Sequence, residues 1–496
     1  MLIKQGSQAL AEQLAQRFSQ RIHSRLLTDG VRLPSVRQCA SQHGVSPSTV
    51  VSAYDQLQAQ GLIEARPHRG FYVRNSALAH INKGPIDTKN VANADFPVAQ
   101  APGFGAHHVP VNAMALIRGM FHGNGERPQP AMGAFPPDWL HTNFLAAAVR
   151  RFTRSPQLEA HALHYGEPAG DTSLREALAR RLAALAIPAT AQQIVTTVGA
   201  THALDIVSRT LLATGDAVMV EEPGWAIEFA RLTALGMRIL PVPRGPEGPD
   251  LTVMARYCEQ HAPKLFVSVS VLHNPTGYCL TPGSAHRLLQ LANQHDFHVV
   301  EDDTYSHLAP EHAVRLSALD GLQRSIYVSG FSKILAPGWR VGYLAAPHAL
   351  VERLLDTKLI NALTTPALFE KALAWCIDQG QLRRHAELIR QRLGRARNRA
   401  VELAQASGCQ FVAPPAGLFG WVDTGVDTDT LSQRMLDRGY LLAPGALFHA
   451  NRTPSTLMRI NFCTTQTADF WQVFGREREA MRSPRGSGRA QLGQAA

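Results

Sequence analysis

The amino-acid sequence predicts an α/β protein in two parts, a small helical unit with a strand hairpin at the N-terminus and a large unit built on a mostly parallel sheet. Three observations predict it. The chain has 496 residues, more than one hydrophobic core usually organises, and 45% of them are hydrophobic and 18% charged, an ordinary composition for a folded protein. Residues 1–75 carry three short helical patterns and two short strands, whereas beyond residue 140 helical patterns alternate with apolar runs. Between these regions, residues 76–104 lack periodicity and contain Lys83-Gly84-Pro85 and Ala101-Pro102-Gly103, which reads as a flexible linker.

In the first region Leu10, Leu14, Phe18, Ile22 and Leu26 recur every four residues, one buried face of a helix of about five turns, and Asp29-Gly30 ends the pattern. Ser35 is placed to cap a second helix over 36–43, which Gly44 terminates in a left-handed conformation. Ser46-Pro47 supplies a cap and a first-turn proline for a third helix. Its stripe Val50, Ala53, Tyr54 and Leu57 faces inward and leaves Ser48, Thr49 and Ser52 outside. Gly61 stops it. Leu62-Ile63 and Phe71-Tyr72-Val73 read as strands, with Arg66, His68, Arg69 and Gly70 in the hairpin between them. The arrangement is a winged helix-turn-helix, in which the third helix enters the DNA major groove and wing cations approach the backbone or minor groove. Residues 1–76 hold nine Lys or Arg against four Asp or Glu, an excess that suits a polyanion. A three-helix protein-binding bundle is the competing reading.

Leu33-Pro-Ser-Val-Arg37, Gly44-Val-Ser-Pro-Ser-Thr-Val-Val-Ser-Ala-Tyr54, Gly61-Leu-Ile63 and Gly70-Phe-Tyr-Val73 together resemble the winged helix of GntR-family regulators. The resemblance implies that Arg37, Ser46, Ser48, Thr49 and Arg69 contact an operator in double-stranded DNA, with Arg37 best suited to a bidentate guanine contact. Positions 47 and 51, often basic in that family, are Pro and Val here, so shape and phosphate contacts are expected to carry more of the affinity.

In the large region, residues 105–481, the apolar runs Ile194–Thr197, Ala217–Val220, Leu265–Val269, His298–Val300 and Ile326–Val328 are expected to be parallel strands, with ligand residues in the loops at their ends. Ser332-Lys333 follows the last of them, and a lysine held there is placed to bond a carbonyl cofactor. Asp302 is placed to pair with a protonated pyridine nitrogen, while Tyr305 and Asn274 are placed to reach a phenolic oxygen. Gly199-Ala200 opens a helix where backbone N–H groups and the dipole favour a phosphate, with Arg340 as a fixed cation. Trp225 can stack on a flat ring.

This ordered set resembles the fold-type I, class I aminotransferases, most specifically in Asn274-Pro-Thr-Gly277, Asp302-Asp-Thr-Tyr305 and Ser332-Lys333 with Arg340. The resemblance implies pyridoxal 5'-phosphate as cofactor, with Lys333 and Asp302 as the catalytic pair. It places Gly199, Ala200, Ser332 and Arg340 near the phosphate, Tyr165 reaching it from the other subunit of a homodimer, and Arg459 on a substrate carboxylate. The hydroxyl residue usual three positions before the lysine is Gly330, so phosphate binding is expected to be either weakened or shifted to Ser329 or Ser332. The whole chain looks like a MocR-type member of the GntR family, a regulator sensing the cofactor or an amino-acid-like effector. A working aminotransferase with a DNA-binding appendage is the alternative.

The remaining features are plain. No apolar run approaches the roughly 20 residues of a membrane span and the N-terminus is amphipathic, so a cytoplasmic location without membrane contact is expected. The six cysteines lack paired spacing, and His107 with His108 lacks a third ligand, so no metal is expected. No strand precedes a G-x-G-x-x-G with a downstream acid, which excludes a nicotinamide dehydrogenase, and a P-loop is absent. Residues 482–496 read as a disordered tail.

Overall fold

The computed structural model describes residues 9–23, 27, 30–66, 69–74, 129–140, 143–154, 163–310 and 312–482. The expected linker and the tail beyond Arg482 lie outside these residues, as do Leu26, His68, His107 and His108. The chain divides into two compact units, Met1–Arg127 with Ser432–Leu441 and Pro128–Leu431 with Leu442–Ala496.

The first unit contains α1 (Leu10–His23), α2 (Val36–His43), α3 (Pro47–Ala59), β1 (Ile63–Arg66) and β2 (Gly70–Val73). Helix α1 has 14 residues, about four turns, and the end of the five-turn pattern, through Leu26, lies outside the described residues. The caps are as predicted. The Ser35 side chain accepts from the Gln38 N–H, Gly44 closes α2 at φ 63°, and the Ser46 side chain accepts from the Thr49 N–H. Leu14, Phe18, Val50, Tyr54 and Leu57 form the core, where each fully buried leucine contributes about 1.5–3 kcal/mol. Tyr54 needs a polar partner there, and its hydroxyl donates to the Pro34 carbonyl at 2.8 Å. The hairpin pairs Ile63 with Val73 through Arg66 with Gly70. One pairing escaped the sequence pattern. The Leu33 N–H donates to Phe71 O and the Val73 N–H to Val31 O, both at 2.8 Å, so residues 31–33 form an antiparallel bridge to β2 through Arg32 and Tyr72. Val31 and Leu33 are buried on either side of exposed Arg32, an alternation too short to read unaided.

The second unit is built on a seven-stranded sheet, with β3 (Ile194–Thr197), β4 (Ala217–Glu222), β5 (Arg238–Pro243), β6 (Leu265–Ser268), β7 (His298–Asp302), β8 (Ser325–Gly330) and β9 (Gly342–Ala345) in the order β3-β9-β8-β7-β6-β4-β5. Strand β9 is antiparallel to both neighbours, and the other pairings are parallel. Strands β5 and β9 were not predicted. Strand β5 carries two prolines, which lack the N–H a central strand needs and are tolerated here because β5 lies at the sheet edge. Period-two alternation sends Val218, Val220, Val300 and Val328 into one core and Ala217, Met219, Phe266 and Val299 into another, so both faces are covered. The five predicted strands all point the same way, which gathers the loops after them along one edge. A smaller antiparallel sheet of β10 (Gln410–Phe411), β11 (Phe419–Asp423), β12 (Ala443–Pro444) and β13 (Leu457–Asn461) carries Arg459. Among the described residues no helix is long and apolar enough to cross a membrane.

Candidate cofactor site and nucleic-acid interface

At the gathered strand ends the structure brings together most of the predicted cofactor residues. Lys333, just beyond β8, donates from Nζ to the Gly133 carbonyl at 2.7 Å. Burial, aided by the positive charges of Arg459 and Arg340 and opposed by Asp302, lowers its pKa to about 8. Neutral amine is therefore present near neutral pH, which a nucleophilic lysine requires. Asp302 ends β7. Burial raises its carboxyl to about 6, against the pull of hydrogen bonds from the Thr304 backbone (3.0 Å) and hydroxyl. Its chain neighbour Asp303 is engaged elsewhere. Fully buried, it accepts from Arg315 Nε at 2.6 Å and from the Tyr327 hydroxyl at 2.9 Å.

Tyr305 is buried edge-on to Phe419, with ring centroids 5.7 Å apart, and burial pushes its hydroxyl pKa up. Arg459 lies over Phe419 at 4.3 Å and Phe448 at 5.2 Å. It donates to Asn274 Oδ1 at 3.0 Å and to the Ala131 carbonyl at 2.6 Å, while its buried Nε has no hydrogen-bond partner among the described residues. With Oδ1 engaged, the Asn274 amide N–H groups remain as donors. Trp225 lines one cleft with Asn274, Asp302, His273 and Glu228.

Close contacts between backbone and side chain shape the predicted phosphate end. Gly199 precedes the helix Ala200–Leu211 at φ 83° and ψ 167°, with no side-chain cap, so first-turn N–H groups are not taken by a capping side chain. Arg340 donates to Val198 O at 3.0 Å and Ser332 Oγ at 3.3 Å. A Cβ on Gly199 would lie 2.6 Å from Arg340 Nη2, and one on Gly342 would lie 2.5 Å from the Gly199 backbone; both glycines are needed for this approach. Of the two hydroxyls expected to replace the one missing at Gly330, Ser329 is buried and donates to Asp303 O at 2.8 Å, which leaves Ser332. Tyr165 is 81% exposed and shares no hydrogen bond with this cluster.

Sequence reasoning missed three contributors. The backbone of Ala131–Ala134 accepts from Arg459, Lys333 and Asn461, in a stretch with no periodic signal. Phe419, at the start of β11, and Phe448, at the end of the short 3-10 helix Gly445–Phe448, flank Arg459. Thr304 was legible, because a Thr two residues after an Asp is placed for a local turn bond.

In the first unit Arg37, Ser46, Ser48 and Arg69 are exposed and Thr49 is half-buried. Ser46 Oγ lies 2.8 Å from both Ser48 Oγ and Thr49 Oγ1, so three hydroxyls cluster at the start of α3. Arg69 sits in the wing turn, its N–H on the Arg66 carbonyl at 3.0 Å. Arg66 is taken up by Glu64 and the Tyr72 ring.

The fold and site define a fold-type I, pyridoxal-phosphate-dependent domain preceded by a helix-turn-helix domain. Residues 138–472 match the aminotransferase class I and II model and residues 10–73 the model of bacterial regulatory proteins of the gntR family. The chain belongs to the class I and II aminotransferase family, as a fusion with a GntR helix-turn-helix of the MocR type. It is 29% identical over 483 residues, 95% of this chain and 97% of the relative, to the uncharacterized HTH-type transcriptional regulator YdcR of Escherichia coli (strain K12). It is 31% identical over 317 residues, 61% of this chain and 76% of the relative, to aromatic-amino-acid aminotransferase 1 of Thermococcus litoralis. Among solved structures, the α-aminoadipate aminotransferase LysN of Thermus thermophilus, complexed with N-(5'-phosphopyridoxyl)-L-leucine, matches with TM-score 0.67 and 25% identity over 74% of this chain and 95% of that one. The cofactor is pyridoxal 5'-phosphate. The residues fit it: a lysine of lowered pKa, an acid beside it, and a glycine-lined helix start with Arg340 in contact.

Proposed function

We propose that the protein is a transcriptional regulator that binds operator DNA through α3 and the wing, and whose large domain senses pyridoxal phosphate together with a carboxylate-bearing amino compound. The observation that carries this reading is the fusion itself: a helix-turn-helix with exposed hydroxyls and arginines in one chain with an aminotransferase-like domain that gathers most of the expected cofactor residues. Bound pyridoxal phosphate supplies an electron sink. Lys333 would hold it, Asp302 would keep a proton at the ring nitrogen, Asn274 and Tyr305 would donate to the ring oxygen, and Gly199, Ala200, Ser332 and Arg340 would bind the phosphate. Arg459 keeps Nε free of any partner among the described residues, a donor available to a carboxylate in a water-poor pocket.

The protein is expected to act as a homodimer, with Tyr165 reaching the partner's cofactor and two winged helices on paired half-sites. A footprint on one unpaired half-site would count against that. The deciding experiment is DNA binding and cofactor absorbance in parallel, as amino acids and keto acids are added. In wild type one amino compound shifts both signals. Lys333→Ala loses the visible cofactor band and the response while retaining DNA binding. Normal regulation by Lys333→Ala would refute a signal through that lysine.

The second reading, an active aminotransferase, has its own support. Lys333 and Asp302, with pKa values of about 8 and about 6, can both exchange protons near neutral pH. Catalytic conversion of an amino acid to its keto acid without effect on DNA binding would favour it.

A further inference from the structure

A second polar cavity shares no lining residue with the cofactor cleft. It lies between the end of the helix Thr172–Ala183, the turn Ser306–Leu308 and the start of the helix Gln381–Ala406. Its volume is about 330 Å³, roughly ten times the share of one water molecule in the liquid. Arg181, Arg315, Arg383, Arg390, Ser306 and His307 supply its polar lining, and among the described residues none that lines it is acidic.

The charge balance is the informative part. Arg315 is matched by Asp303 at 2.6 Å and Arg390 by Glu387. Arg181 and Arg383 have no ion-pair partner among the described residues, and Arg181 Nε is buried without a hydrogen bond. A buried guanidinium N–H left unbonded is unfavourable, and a ligand oxygen would satisfy it. His307 is 5% exposed, with its ring packed on Phe331 at 5.5 Å, and it lines the cavity. Arg181 at least suits the C-terminal end of its helix. Arg383 stands in the first turn of a 26-residue helix that has no acidic residue there, against the dipole. An anion in the cavity would reverse both penalties.

We propose that this cavity binds a small phosphate-bearing ligand, gripped by Arg181 and Arg383 with Ser306 and His307 as further hydrogen-bond partners. Two unmatched guanidiniums suit a phosphate monoester, whose charge at neutral pH is about −1.5 to −2. The assignment is independent of the cofactor reading.

The test uses the full-length protein loaded with pyridoxal phosphate, so that the cofactor's own phosphate position is filled. Inorganic phosphate and pyrophosphate are titrated by calorimetry at constant ionic strength, in wild type and in the double variant R181Q/R383Q. Saturable binding is expected in wild type, weakened about tenfold or more in the variant, with the cofactor absorbance unchanged. Equal affinity for the two anions would identify free phosphate as the ligand, and tighter pyrophosphate binding a larger phosphorylated molecule. Absence of saturable binding in wild type, or undiminished binding in the variant, overturns the proposal. Should the double variant fold poorly, R383Q alone, at an exposed position, carries the same comparison.

Discussion

Gly199→Ala is the sharpest probe of the cofactor site, because two separate penalties can be worked out from the backbone. At φ 83° and ψ 167°, Gly199 occupies a region that is essentially reserved for glycine, so any side chain adds about 1–3 kcal/mol of strain to the folded state. The added methyl would also lie 2.6 Å from Arg340 Nη2, which must retreat and give up its 3.0 Å bond to Val198 O. Displacing Arg340 from the expected phosphate position would remove one charge-assisted contact to the bound cofactor, about 1.5–3 kcal/mol, or about 10- to 150-fold in cofactor affinity. Titration of the cofactor-free protein with pyridoxal phosphate, read by visible absorbance, measures the affinity, and thermal unfolding measures the strain. A double-mutant cycle separates them: in an Arg340→Ala background, Gly199→Ala should lower the melting temperature but scarcely change affinity further. Wild-type affinity in Gly199→Ala, or full additivity in the cycle, would refute the claim that the glycine serves Arg340.

Three other outcomes are expected. Because the folded pKa of Lys333 is lowered to about 8, the amine is neutral above that pH and protonated below it; the rate of pyridoxal phosphate uptake should climb about tenfold per pH unit up to about 8 and level off beyond. Stopped-flow absorbance checks this, and a flat profile would show the lysine titrating elsewhere. Arg37→Ala should cost about 1–3 kcal/mol and relax sequence preference at one base pair, whereas Arg69→Ala should weaken all sequences alike and lower the salt slope by about one, both readable by binding titrations over a salt series. Leu57→Ala, at a fully buried position, should remove about 2–5 kcal/mol from the first unit, abolishing DNA binding in a gel-shift assay while the cofactor band persists. Retained DNA binding would contradict the packing of α3.

Much of both units was legible because it is written in local terms. Ser35, Gly44 and Ser46 act within four residues of themselves, so their caps follow from sequence spacing alone. The five parallel strands were legible as apolar runs for a related reason: both faces are covered, and nearly every side chain must be apolar. Edge strand β5 broke that rule with its prolines, and the bridging segment 31–33 was too short to show a period.

By itself the sequence nominated the residues expected to carry chemistry: Lys333, Asp302, Asn274, Tyr305 and Arg340 from their places in loops after apolar runs, and Arg459 from the aminotransferase resemblance. Only the tertiary structure decided how they divide the work. Asp302 and Asp303 are adjacent and chemically alike, yet the fold buries one against Arg315 and Tyr327 and leaves the other to the cofactor cleft. Ser329 and Ser332 were equal candidates until burial tied the first to a backbone carbonyl. The Ala131–Ala134 carbonyls and the rings flanking Arg459 come from segments remote in sequence from most of the groups they meet, and the basic cavity joins three segments in the same way. Such contacts are set by which surfaces remain apolar after the helices and strands have formed, a property of the packed chain that no local window contains.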